Sequence, residues 1–380
     1  MTSRQIPASS RAARSVLILG AGHIGQAIAL LLSEAGGYAP LVADRNLPAL
    51  EQVQASSGVP TVHVPDAAAL EAAIPGHYAV LNALPFHQAV AVATLCARLG
   101  VHYFDLTEDV ASTQAIRVLG EGARSVLMPQ CGLAPGFIGV VGNDLARRPD
   151  SAQALHLRVG ALPRFPQGAL RYCLTWSTEG LINEYCNPCE VIVQGQRTRV
   201  PALGGLESLL IDGVEYEAFS TSGGLGTLPQ TWEGRLQQLD YKTIRYPGHH
   251  AAMRLLLHEL RLGERRALLH ELLEGAVAAT QQDVIVILAS ARGLRGGRLV
   301  QESYAARILG RRLRGQVLSA IQLTTAAGIC TALDLMCSGH LPQAGFVQQE
   351  QIALTDWLAN RFGRVYDVDA APGKVLGTCS

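Results

Sequence analysis

The chain has 380 residues, 48% hydrophobic and 16% charged, with 31 basic and 31 acidic side chains and a formal net charge of zero. This apolar content supplies a large core and excludes disorder over most of the length, which suits two domains. Charge neutrality argues against a nucleic-acid polyanion as the main partner.

In chain order, the first 14 residues are polar and read as a tail without the apolar centre of a signal peptide. Ser15–Leu19 is a short β-branched run with the look of a buried parallel strand. It breaks at a glycine-rich turn, and Gln26–Glu34 has helical apolar spacing up to Gly36-Gly37. Further strands are expected at Ala39–Ala43, Pro60–Val64, Ala79–Asn82, Val101–Phe104 and Ser125–Met128. Helices fall between them, at Ala67–Ala73 behind the capping residue Asp66, from Phe86 to Leu99, and after Asp109. Such alternation predicts an α/β fold, a Rossmann-type doubly wound parallel sheet over residues 15–150.

Beyond residue 150 the pattern changes. Gln153–Gly160, Leu170–Trp176, Glu190–Val193, Asp283–Arg292 and Leu299–Tyr304 read as strands, the last two joined by the glycine-rich turn Gly293–Gly297. The long stretch between them reads as turn-rich. Residues 151–314 are therefore expected to form a second α+β domain on a mixed or antiparallel sheet. Helical segments from about Gly315 to Cys337 and at Ile352–Phe362 predict a C-terminal part, 315–370, that completes the first domain. The longest apolar stretch, around Ala27–Leu32, is too short to span a bilayer, so no membrane partner is expected. Eight scattered cysteines form no framework, as in a cytoplasmic protein with reduced thiols, and Cys186-Asn-Pro-Cys189 lacks the second pair that zinc needs.

Gly20-Ala-Gly22-His23-Ile24-Gly25 stands between the first strand and the first helix, and Asp44 ends the second strand. In this context the glycines permit a tight turn, close approach of a pyrophosphate, and close helix–strand packing. Asp44 is placed to accept hydrogen bonds from a ribose and to repel a 2′-phosphate, which favours NAD as cofactor; Arg45 beside it weakens that preference. Asp66 and Asn82-Ala83-Leu84-Pro85 end neighbouring strands, on the edge where ligands bind in open α/β sheets. Asn82 and Pro85 are either neighbours of the nicotinamide half or ordinary turn residues.

The segments LNALPFH (81–87), GVHYFDLTED (100–109), PQCGLAPG (129–136), WSTEGLINEY (176–185), SGGLGT (222–227) and LDYKTIRYPGH (239–249) extend over both halves. With them the chain resembles the saccharopine dehydrogenase-like family, and most closely its lysine 6-dehydrogenase branch. The resemblance implies oxidative deamination of the ε-amine of L-lysine with NAD. Ammonia would leave, and the semialdehyde would cyclise to Δ1-piperideine-6-carboxylate. It also implies a homodimer or higher homo-oligomer. Relatives acting on secondary amines, such as saccharopine or carboxynorspermidine, share the framework, and a chain that binds NAD without turnover is a third reading.

For that reaction a base, a partner for the iminium and anchors for the amino-acid end are needed. Asp105 and Glu108, after the fifth strand, are candidates for amine contact and base, with Thr107 beside them; at least one residue of this acidic turn caps the next helix. Lys242 stands out because Lys242 and Lys374 are the only lysines among the bases, and Arg245 lies three residues on. Lys242 is read either as an acid/base group or as an ion-pairing residue. Arg245, with its planar fork, is the candidate carboxylate anchor. Asn183, Glu184 and Tyr185 form a polar cluster suited to the substrate pocket, and Gly224 sits in a stretch that is an anion nest, a lid or only a turn. His102 is expected to be a core histidine. His249-His250, adjacent on an extended segment, point apart, so no metal is expected.

Overall fold

The computed structural model describes residues 13–367; most of the expected polar tail, residues 1–12, and the end of the C-terminal segment, 368–370, lie outside the described residues. Seven parallel strands form the first sheet. Six come from the N-terminal part: β1 (Arg14–Leu19), β2 (Tyr38–Asp44), β3 (Thr61–His63), β4 (Ala79–Asn82), β5 (His102–Asp105) and β6 (Val126–Met128). Arg14, expected in the tail, already pairs with Tyr38 in this sheet. The helices on its faces are α1 (His23–Ala35), α2 (Leu47–Ser57), α3 (Ala67–Ala73), α4 (Ala89–Leu99) and α5 (Val110–Gly120). Val16, Leu17, Ile18 and Leu19 are all buried, so β1 faces core on both sides, as a central parallel strand must. Each such side chain contributes about 1.5–3 kcal/mol by leaving water.

After α6 (Phe137–Arg147) comes the second sheet, of eight strands: β7 (Ser151–Pro163), β8 (Cys189–Val193), β9 (Gln196–Val200), β10 (Glu207–Ile211), β11 (Val214–Ser220), β12 (Gln238–Arg245), β13 (Asp283–Arg295) and β14 (Arg298–Leu309). Its main order is β10-β11-β12-β7-β13-β14, with β7 and β12 parallel and the other pairings antiparallel. Helices α7 (Thr178–Cys186), α8 (Leu228–Trp232), α9 (His249–Arg254) and α10 (Arg266–Ala276) fill the connections. A hairpin, β15 (Arg311–Leu313) and β16 (Gln316–Leu318), leads to α11 (Ala320–Cys337); then β17 (Gly345–Phe346) joins the first sheet beside β6, and α12 (Leu354–Ala359) follows. The two sheets therefore make an α/β fold, a Rossmann-like layer joined to a mixed sheet.

Three readings differ from the structure. Leu170–Trp176 is not a strand: its one sheet-type pairing among the described residues is an isolated bridge between Leu174 and Ala279. The region read as turn-rich holds β10, β11 and β12. Their apolar content is low because one face of β12 carries Asp240 and Lys242, charges satisfied by Arg158 on β7 and Glu207 on β10. Finally, the helix expected from about residue 315 starts at Ala320. Ser319 caps it in a capping box with Gln322, and the Asp283 carboxylate accepts the Ala320 and Ile321 N–H groups.

Helix α11 ties the halves together. It packs on α1 and on β13, and most of its residues are buried. Gly328 allows the approach of the loop after β6, since a Cβ there would stand 2.6 Å from the Cys131 carbonyl oxygen. The loops ending β4, β5 and β6 thus lie against the inner face of the second sheet.

Candidate active site

The first turn has the shape a dinucleotide needs. Gly20 adopts φ +103°, and a Cβ on Gly25 would fall 1.8 Å from the Gly20 carbonyl oxygen, so helix and turn touch only because both are glycine. Around Gly22, at the N-cap of α1, nothing lies within 4 Å of a Cβ, and no side chain caps the helix. That open, uncapped helix start fits a pyrophosphate. Asp44 Oδ2 accepts the Ala21 N–H at 2.6 Å and Oδ1 accepts the Asn46 N–H at 2.7 Å, holding the carboxylate beside the turn. These residues would hold an NAD(P) diphosphate and adenosine ribose.

From the turn a cavity of about 260 Å³ runs between the two sheets. Ile24 and Ala83–Phe86 form one wall, Leu106, Thr107 and Glu108 the next, and Gly132–Pro135 a third. The second sheet closes it with Val159, Ala161, Tyr241, Thr243 and Arg245; Trp176, Ser177 and Glu184 come from α7 and the segment before it. Period two on β12 explains this set: Tyr241, Thr243 and Arg245 face inward.

The same alternation removes Lys242 from the site. It points to the opposite face, where Nζ donates to Glu207 Oε2 at 2.6 Å, in a network in which Arg158 also binds Glu207 and Asp240. Lys242 is an ion-pairing residue, and its acid/base assignment is withdrawn. Asp105 is also not a wall residue. Its buried carboxylate accepts the Tyr103 hydroxyl at 2.8 Å and the Thr107 and Gln130 N–H groups at 2.9 Å each, so it shapes the loop that presents Thr107 and Glu108. Burial raises its pKa to about 6 despite these bonds. Tyr185 stands behind the wall, its hydroxyl accepting Arg245 Nε–H at 2.9 Å. Gly224 is packing, not binding: a Cβ would meet the Tyr241 ring at 2.4 Å, while Gly223 is pressed on the Glu108 carbonyl.

Among the expected cofactor residues, Ile24, Ala83, Leu84 and Pro85 line the cavity. Asn82 lies behind them, donating to the Tyr103 hydroxyl at 3.0 Å and accepting Leu84 N–H at 3.2 Å, so it orders the wall without facing it. Asp66 is exposed and spends a carboxylate oxygen capping α3. His23 and Arg45 are exposed, and the Arg45 carbonyl contacts the His63 ring.

The cavity wall holds two carboxyl groups, Glu108 and Glu184, and one guanidinium, Arg245. Burial dominates Glu108 and raises its pKa to about 7, with Asp109 and Asp105 adding like-charge repulsion. Its Oε1 is buried and has no hydrogen-bond partner among the described residues. An orphaned carboxylate oxygen of that kind is rare and marks a place for a donor from a ligand. Burial, then the charge of Glu108, pushes Glu184 well upward, while Arg245 draws it back. Arg245 is 2% exposed and forms no ion pair among the described residues. Nε goes to Tyr185, Nη1 to the Ile244 carbonyl, and the guanidinium lies 5.1 Å over the Tyr172 ring.

Residues 16–126 match the saccharopine dehydrogenase NADP binding domain, and residues 132–363 match the saccharopine dehydrogenase C-terminal domain. The chain belongs to the saccharopine dehydrogenase family. Apo saccharopine dehydrogenase (L-Glu forming) from Saccharomyces cerevisiae superposes with a TM-score of 0.71 at 14% identity, over 91% of this chain and 96% of that one. A myo-inositol dehydrogenase from Corynebacterium glutamicum aligns at 12% identity and TM-score 0.44, over 93% of this chain and 97% of that one. As a member of this family the chain is an NAD(P)-dependent oxidoreductase.

Sequence reasoning missed several wall residues of this family member: Trp176, Ser177, Tyr241, Thr243 and the loop Leu133–Pro135. For two of them a signal existed, since Leu239, Tyr241, Thr243 and Arg245 occupy alternate positions and one inward assignment fixes the others. Nothing local announced Trp176, which the fold brings to the cavity from a segment without regular structure.

Proposed function

We propose that this chain oxidises the ε-amine of L-lysine with NAD, giving the 6-semialdehyde, which closes to Δ1-piperideine-6-carboxylate. The observation that carries this reading is the charge content of the cavity: one arginine and two carboxylates. Lysine offers the complement, one carboxylate and two ammonium groups. Saccharopine has three carboxylates, two of which would meet no cation here, and burying an unpaired charge is costly.

In this reading Arg245 binds the substrate carboxylate and Glu184, in the same cavity wall, pairs with the α-ammonium. Glu108, presented from the cofactor side beside Thr107, faces the ε-nitrogen. A nicotinamide bound in the cavity supplies the acceptor for the hydrogen and electron pair lost from the ε-carbon. Glu108 removes a proton from the ε-ammonium, freeing the lone pair that closes the C=N bond. Having passed that proton to solvent, Glu108 takes a proton from the water that adds to the iminium carbon and returns it to the nitrogen; the carbinol hydroxyl loses its proton as the C–N bond breaks and ammonia departs. A base titrating near neutrality suits both transfers. The Asp44 carboxylate at the ribose position supports NAD over NADP.

The test is turnover of L-lysine, saccharopine, carboxynorspermidine and cadaverine with NAD and with NADP, followed by NADH or NADPH absorbance. Lysine should yield the cyclic imine and one equivalent of ammonia. Oxidation of saccharopine with none of lysine overturns the reading.

A further inference from the structure

Behind Arg245 lies a chain of buried polar groups that the chemistry above does not use. Arg245 Nε–H ends on Tyr185 Oη at 2.9 Å, Tyr185 Oη is 3.2 Å from His249 Nε2, and His249 Nδ1 is 2.7 Å from the Leu170 carbonyl. All three side chains are at most 2% exposed. Elementary hydrogen-bond chemistry allows only one direction along it. A carbonyl accepts only, so Nδ1 carries the imidazole proton. In a neutral ring Nε2 then accepts only, so Tyr185 must donate its single proton there. Tyr185 is left with lone pairs alone to offer Arg245. The ring is neutral: desolvation, then the nearby Arg245 charge, push His249 down to about 3.

Both ends of this chain are anchored. Leu170 belongs to the segment that lays Tyr172 against the guanidinium and continues to Trp176 and Ser177 in the cavity wall. On the other side, the turn from Arg245 to His249 is fixed by Glu217, whose carboxylate accepts the Gly248 N–H at 3.0 Å and the His250 N–H at 2.6 Å. Gly248, at φ +99°, makes that turn possible.

We propose that His249 is a positioning residue for carboxylate recognition. It holds Tyr185 as an acceptor, so that one edge of the Arg245 fork is occupied and the other is aimed at the cavity, and it links that aim to the seating of the 170–177 segment. His249 itself touches no substrate. The proposal rests on Arg245 being the carboxylate anchor in the reading above.

Asparagine and glutamine divide the two functions of the ring. In His249→Asn the amide NH₂ takes the place of Nδ1 and keeps the Leu170 bond, but the acceptor for Tyr185 is lost. In His249→Gln the amide oxygen reaches the place of Nε2 and keeps that acceptor. His249→Asn should raise KM for lysine about tenfold, the worth of one charge-assisted bond, with little change for cadaverine, which has no carboxylate. His249→Gln should restore most of the loss. Tyr185→Phe should reproduce the Asn effect, and the double variant should add nothing to it. Equal losses for both substrates, or additive losses in the double variant, overturn the proposal.

A second measurement needs neither turnover nor a variant of His249 that folds. In wild-type protein carrying ¹⁵N-labelled histidine, His249 should show a protonated Nδ1 and an unprotonated Nε2, and the Nε2 resonance should move in Tyr185→Phe. A protonated Nε2 overturns the chain outright. If wild type fails to oxidise lysine, the substrate reading falls, while the tautomer still decides the role of His249.

Discussion

Replacing Glu108 by glutamine should abolish most activity and, above neutral pH, make the protein more stable. A glutamate ordinarily titrates near 4.5, and burial in the cavity wall brings Glu108 to about 7. Between those values the folded protein keeps a proton that the unfolded chain has released. This contribution to stability is therefore fully present below pH 4.5 and is lost as pH rises through 7. At about 1.4 kcal/mol per pH unit, the ionised carboxylate costs about 3 kcal/mol by pH 8. Glutamine keeps the shape and has no charge to bury. Glu108→Gln should match wild type near pH 4.5 and exceed it at pH 8 by about 3 kcal/mol, or ~4 °C in Tm for a chain of this length. Denaturant and thermal melts of the coenzyme-free protein at the two pH values measure this. Turnover should move the opposite way, with kcat falling by roughly 10²–10⁴ on loss of the base. Wild-type kcat/KM should rise with pH to a plateau above about 7 as the base ionises, and the variant should lack that limb. Wild-type turnover in the variant, or a stability difference independent of pH, would refute the reasoning.

Three further outcomes are expected. Lys242→Arg should keep kcat and its pH profile close to wild type, because the side chain pairs with Glu207 on the far face of the sheet; a steep fall in kcat would return Lys242 to the site. Gly22→Ala should fold normally but bind coenzyme weakly, since its Cβ enters only the open space before α1, whereas Gly25→Ala should lower Tm as well, its Cβ colliding with the Gly20 carbonyl; calorimetric titration and melts separate the two. Asp44→Ser should narrow the gap between NAD and NADP turnover by removing a repulsive charge, and a wild type that prefers NADP would exclude this role.

Much of the first domain was legible because its signals are local. The parallel strands are short apolar runs, Asp66 and Asp109 cap helices α3 and α5 as their sequence positions predict, and the glycine turn has its meaning within a few residues. The second sheet was less legible because its strands are half charged. Asp240 and Lys242 put two charges on one face of β12, and only the pairing with Arg158 and Glu207, 82 and 35 residues away, makes that face acceptable. The same long-range dependence misdirected the catalytic reading. A rare lysine next to a candidate anchor is a chemical signal, but which face of a strand it occupies is a matter of register. Counting by two from Arg245 would have placed Tyr241 and Thr243 inside and Lys242 outside.

The division of labour between the sheets gives a reason for leaving the cavity charges uncompensated. Glu108 comes from the loop after a cofactor-domain strand, whereas Arg245 and Glu184 come from the second domain. A direct Arg245–Glu108 ion pair would stabilise the empty protein, but it would also draw the anchor and the base together and leave no place for a substrate between them. Instead Arg245 is held by a neutral hydroxyl, a carbonyl and an aromatic face, and Glu108 keeps a buried oxygen without a partner. Each of these substitutes supports the group without neutralising it. In the function proposed above, the stability forgone in the free protein would reappear when a zwitterion bridges the two, and recognition would depend on a ligand with charges at both ends. Amine substrates without a carboxylate would satisfy Glu108 and leave Arg245 as it is in the free protein, so under the proposed function the arrangement that destabilises the empty site would also favour amino acids.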